Sequence, residues 1–145
     1  MIRNTILPAL LATIWISISE FVRNKFLLKS YWTEHYESMG LIFPSEPING
    51  AFWGIWSLCF AIGIYIISQK FSLVQTTLLS WFFGFVLMWL VTGNMNVLPF
   101  GILPFAIPLS ILEVFGAVFI ITKMTNRSKW TQLSYTNNDR TDNKI

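Results

Sequence analysis

Glu113 has the most chemistry to offer of any side chain in this sequence, because it lies inside a continuous apolar run, Leu98 to Lys123, that also holds three prolines. An ionisable group at the centre of a bilayer costs roughly 2.5 kcal/mol or more, and residues that meet this cost mark ion paths, proton relays or paired interiors. At 1.5 Å per residue from the ends of the apolar runs, Thr13, Ser57, Ser80 and Glu113 all fall roughly 13 to 17 Å deep, near the midplane. Ser110, one turn before Glu113, also reaches its carboxyl. Two readings follow. Shielded from water and without a cation, Glu113 is a neutral structural residue hydrogen-bonded to these hydroxyls. Alternatively it binds a proton or cation on a transport path, with the free carbonyl of Pro104 as a further oxygen ligand.

Glu20 costs less, since it lies near the end of the first apolar run with Arg23 three residues on to pair with it. Thr13, Ser17, Glu20 and Asn24 share one helical face, which either lines an outer approach to Glu113, with Glu20 and Arg23 at its mouth, or faces the interior. His35 stands between Glu34 and Glu37, but a metal site needs three or four ligands, and the chain has no second His and only Cys59. We therefore expect no metal site and no cofactor. No metalloprotease, nucleophile-elbow, P-loop or dinucleotide motif occurs, so no catalytic residue is assigned. A membrane enzyme using Glu34, His35 and Glu37 as acid or base groups is a third reading. Trp32, Trp53 and Trp89 map to an interfacial belt, whereas Trp15 and Trp56 lie deeper.

The elements that position these residues are apolar helices. At 145 residues, 54% hydrophobic, 12% charged and with a mean hydropathy of +0.56, the chain is too apolar for an ordinary soluble domain. Its net charge of +3 comes from basic residues flanking apolar runs, which argues against nucleic acid as a partner and for the lipid bilayer. One cysteine excludes a disulfide and a dithiol pair within the chain. Four spans are expected, over residues 5–22, 48–68, 71–93 and 99–123, followed by a polar, disordered tail over 124–145. The first run also reads as a signal peptide cut before Glu20. Between the first two spans, Leu28, Trp32, Tyr36 and Met39 recur at helical spacing, predicting an amphipathic interfacial helix that ends at Gly40. Ser45 or Asn49 is the expected cap of the second span. Gly50, Gly54, Ser57 and Ala61 form a small-residue face suited to close helix packing, within the chain, in a homo-oligomer or against a membrane partner. Pro108 inside the fourth span predicts a kink.

With four spans, Arg3, Lys70, Lys123, Arg127, Lys129, Arg140 and Lys144 share one side, and Arg23, Lys25 and Lys29 the other. The positive-inside rule then puts both termini in the cytoplasm. The stretch Lys29-Ser30-Tyr31-Trp32 leading to Gly40-Leu41 resembles a family of small bacterial four-helix membrane proteins classed as a domain of unknown function. That resemblance implies a four-helix fold in the bacterial inner membrane and no activity. The sequence thus predicts an all-α membrane protein, a four-span antiparallel bundle with an amphipathic outer loop and a proline-kinked fourth helix. The leading functional expectation is a transporter or channel-like protein, or a subunit of one; the alternative is a non-catalytic scaffold or binding subunit.

Overall fold

A computed structural model describes residues 2–142, with side chains over residues 5–125. The chain is all-helical. Its α-helices are α1 (Ile2–Val22), α2 (Lys29–Ser38), α3 (Pro47–Ser68), α4 (Leu73–Trp81), α5 (Leu87–Asn94) and α6 (Leu103–Asp142). A π-helical turn, Arg23–Leu27, extends α1, and a second, Phe82–Val86, joins α4 to α5. Among the described residues four stretches are long and apolar enough to cross a membrane: Thr5–Leu27, Pro47–Ser68, Leu73–Asn94 and Phe100–Thr125. The first runs five residues past the boundary expected from sequence, so Arg23 and Lys25 belong to a helix and not to a loop.

Local chemistry explains the helix ends. Pro47 occupies the first turn of α3 after an extended Glu46, where its missing N–H is harmless. Neither Ser45 nor Asn49 caps that helix; the cap position is Glu46, with no side-chain hydrogen bond. Ser72 and Gln75 form a reciprocal capping box, which starts α4 at Leu73, two residues later than the expected span. Gly40 takes the left-handed φ of 71° that closes α2, with Gly40 N donating to Glu37 O and Leu41 N to Tyr36 O, both at 2.9 Å. The helical α6 continues to Asp142, through the stretch expected to be a polar tail; its side chains beyond residue 125 lie outside the described residues.

Each long helix buries one narrow stripe. On α1 and the π-turn that extends it, the stripe is Ala9, Ala12, Ile16, Glu20 and Arg23; on α3, Ser57, Ala61 and Ile64; on α6, Ala106, Ser110, Glu113, Ala117 and Ile121. These stripes repeat every three or four residues, as one helical face must. The opposite faces are apolar too: Leu10, Ile14 and Ile18 on α1, Ile55, Ile62 and Ile66 on α3, and Leu112 and Phe119 on α6 are all exposed. Such continuous apolar exposure suits a hydrocarbon solvent and not water. Two buried clusters result. One joins Ala12, Ile16, Ala61, Ile64, Phe85, Val114, Ala117, Val118 and Ile121. The other, at the α2 end, joins Leu28, Leu98, Ile102 and Ala106, with Trp32 and Trp89 packed against it. The charged stripe residues fall between them along α1 and α6.

Candidate functional site

The polar layer between the clusters is an ion-paired triad. Arg23, Glu20 and Glu113 are only 6%, 5% and 2% exposed. Arg23 Nη1 donates to Glu113 Oε2 at 2.7 Å, and Arg23 Nη2 donates to Glu20 Oε1. The guanidinium also lies over the Phe85 ring, 5.0 Å from its centroid. Arginine suits this position because its planar fork bonds two carboxylates at once while its face stacks on an aromatic ring.

Both π-turns converge here. In a regular α-helix Leu28, five residues after Arg23, would point about 140° away from it. The wider turn, closed by Leu28 N donating to Arg23 O at 2.9 Å, absorbs the extra residue. Arg23 and Leu28 can therefore both be buried. The second π-turn does the same for Ser80 and Phe85, which are also five apart and both buried. Phe85 leads into an aromatic group with Trp56, Phe60 and Trp89, at centroid distances of 5.7 to 5.9 Å from it.

From the triad a hydrogen-bonded chain runs toward α2. Asn24 Nδ2 donates to Glu20 Oε2 at 2.6 Å, and Trp32 Nε1 donates to Asn24 Oδ1 at 3.1 Å. On α6, Trp15 Nε1 donates to the Glu113 carbonyl at 2.9 Å. Gly116 makes that approach possible, since a Cβ there would lie 2.6 Å from Trp15 Nε1. The chain ends at Glu113 Oε1, which is buried without a hydrogen-bond partner.

The hydroxyls expected around Glu113 go elsewhere. Thr13 Oγ1 donates to Ala9 O at 2.8 Å and Ser57 Oγ to Trp53 O at 2.9 Å. Ser110 Oγ donates to Ile107 O at 2.9 Å and accepts from Trp81 Nε1 at 2.8 Å, and Ser80 Oγ has no partner. A hydroxyl that donates to a carbonyl of the preceding turn has no proton left for a carboxylate, although it can still accept, as Ser110 does from Trp81. The Pro104 carbonyl cannot share an ion with Glu113, because nine residues of helix separate them by roughly 13 Å. Of the small-residue face, Ser57 and Ala61 are buried, Gly54 is half-buried and Gly50 is exposed. His35 Nε2 lies 2.9 Å from Asn96 O, tying α2 to the connection after α5. Among the described residues no group of His, Cys, Asp or Glu could hold a metal ion.

The pairing of Glu20 with Arg23 follows from their spacing; the second arm of Arg23 does not. One signal pointed to it, since two buried carboxylates need a cation and Arg23 is the nearest base to Glu20 on the same face. Asn24 carried a signal in its place on the polar face with Glu20, one turn away, whereas Trp15, Gly116 and Phe85 carried none comparable. No protein-family model, curated protein or solved structure matches the chain, so the resemblance of residues 29–41 adds nothing to the reading of this site.

Proposed function

We propose that this chain is a four-span integral membrane protein that binds a proton or a monovalent cation at Glu113, acting as a small transporter or channel-like protein or as a subunit of one. The observation that carries this reading is the charge count of a buried cluster. Two carboxylates share one guanidinium, so the triad is one positive charge short when both acids are ionised, and Glu113 Oε1 has no partner. One proton or one monovalent cation balances it, and a buried site favours that balance strongly. The spans form an antiparallel bundle with both termini cytoplasmic and the fourth span kinked at Pro108. Seven basic residues lie on the terminal side against Arg23, Lys25 and Lys29 on the other, which supports the orientation. Asn24 and Trp32 then form the outer approach. The apolar cluster of Ile16, Ile64 and Val118 seals the cytoplasmic side, as expected of a site reached from one side at a time.

The test is proton or potassium flux into liposomes holding the purified protein, read by an internal pH or potassium dye. Flux above that of empty vesicles, lost in Glu113→Gln while the thermal transition is kept, is the expected result. Equal flux in wild type and Glu113→Gln removes Glu113 from the path.

The second reading, a non-catalytic scaffold or binding subunit, is favoured by one observation. A Cβ built at Gly50 or Gly54 meets nothing within 4 Å, so the outer half of the small-residue face is free to receive another helix.

A further inference from the structure

The carboxylate oxygens of the triad are not equally served. Glu20 Oε1 accepts from Arg23 Nη2, Glu20 Oε2 from Asn24 Nδ2 at 2.6 Å, and Glu113 Oε2 from Arg23 Nη1 at 2.7 Å. Glu113 Oε1 alone has no partner. A donor on each oxygen suits Glu20 to its charge, whereas Glu113 has a donor on one oxygen only.

Whatever balances the second acid must therefore sit at Glu113 Oε1. That atom is sealed, since its residue is 2% exposed and the oxygen itself offers no surface that a water molecule could touch. A potassium ion is about as large as water and has no room there. A smaller cation gives up its water shell only for several oxygens at once, and these are not assembled here. Arg23 holds the other carboxyl oxygen, the Thr13, Ser57 and Ser110 hydroxyls bond within their own helices, and among the described residues no group of His, Cys, Asp or Glu could hold a metal ion. The guanidinium on the same carboxyl also repels a metal cation, more strongly in this interior than in water. A proton needs neither room nor a cage of ligands.

The charged groups that face Glu113 from the first span are Arg23 and Glu20. On α3 the titratable residues are Cys59, which is exposed, and Tyr65, whose hydroxyl donates to Thr5 Oγ1. The stretch from Leu73 to Asn94 carries none, and between Leu103 and Thr125 the last span adds only Lys123, ten residues beyond Glu113 and over the Phe119 ring.

We propose that the ion taken by this site is a proton and not a metal cation, and that it is held on Glu113 Oε1. Binding forms one O–H bond on Glu113 and takes the triad from one net negative charge to zero, while Arg23 and Glu20 keep their charges. A neutral acid with an unpaired O–H is far cheaper in this interior than an unpaired charge. The proposal rests on the reading of Glu113 as an ion site and chooses the ion.

The test is infrared absorption of the full chain in lipid across a pH series, read in the protonated-carboxyl band that shifts in heavy water. Wild type should show this band at neutral pH and lose it reversibly as the pH is raised. Glu113→Asp should move the band and Glu20→Asp should leave it in place, because the two acids absorb at different positions. Exchanging choline chloride for lithium, sodium or potassium chloride should change nothing. A band moved by Glu20→Asp instead overturns the assignment. No band in wild type, with a carboxylate signal that shifts with one of these cations, also overturns it and keeps Glu113 as a site for that cation. A band that persists at every pH makes Glu113 a fixed neutral acid, which ends the ion-site reading and the proposal with it.

Discussion

Arg23 on the first span and Glu113 on the last meet at 2.7 Å across ninety residues of sequence, with Glu20 on the other arm of the same guanidinium. The three charges do not weigh equally. Removing Glu113 leaves one acid with one base, whereas removing Arg23 leaves two buried acids with no base. Arg23→Met should therefore destabilise by about 3 to 5 kcal/mol, the usual cost of breaking a buried pair, and Glu113→Gln by clearly less. Thermal unfolding in detergent, followed by circular dichroism, measures both. Equal losses would mean that the triad is not a charge-sharing unit.

Trp15 fits against Gly116 with no room to spare. Gly116→Ala puts a methyl about 2.6 Å from the indole nitrogen, so the ring must move and its bond to the Glu113 carbonyl breaks. A loss of about 1 to 3 kcal/mol is expected, as for other overpacked sites. The smaller ring of Trp15→Phe should recover part of that loss in the double variant, which a double-mutant cycle reads directly.

Gly54→Leu separates the two functional readings. The position has open space around it, so the isolated chain should change by no more than about 0.5 kcal/mol. A scaffold that docks through this face should instead lose its partner or its homo-oligomer, measured by crosslinking in membranes. Unchanged association would take the Gly50 and Gly54 face out of consideration.

Topology is open to direct labelling. In a Cys59→Ser background, a cysteine at Ser38 of α2 should react with a membrane-impermeant maleimide in intact cells. One at Lys70, in the turn between α3 and α4, should react only after lysis. The reverse pattern would invert the proposed orientation and put Asn24 and Trp32 on the cytoplasmic side.

The order of the spans was legible from the chain alone, because a stretch such as residues 48–68 is apolar over the length of a bilayer whatever its neighbours do. A helix closed by Gly40 was legible too, from the spacing of Leu28, Trp32, Tyr36 and Met39, although only Trp32 and Tyr36 lie within it. The expected hydroxyl layer around Glu113 failed for a local reason. Thr13, Ser57 and Ser110 satisfy themselves within their own helices, so equal depth did not make them partners.

What sequence by itself determined was the solvent each residue prefers and the local pairs that spacing allows, such as Glu20 with Arg23. Tertiary structure alone decided that Arg23 serves Glu113 as well, that Phe85 lies over its face and that Trp15 crosses at Gly116. The reason is rotational. A π-turn changes which way a helix faces without leaving a mark in hydropathy, and only the packed neighbours determine whether the residue it turns inward is Arg23 or the residue beside it.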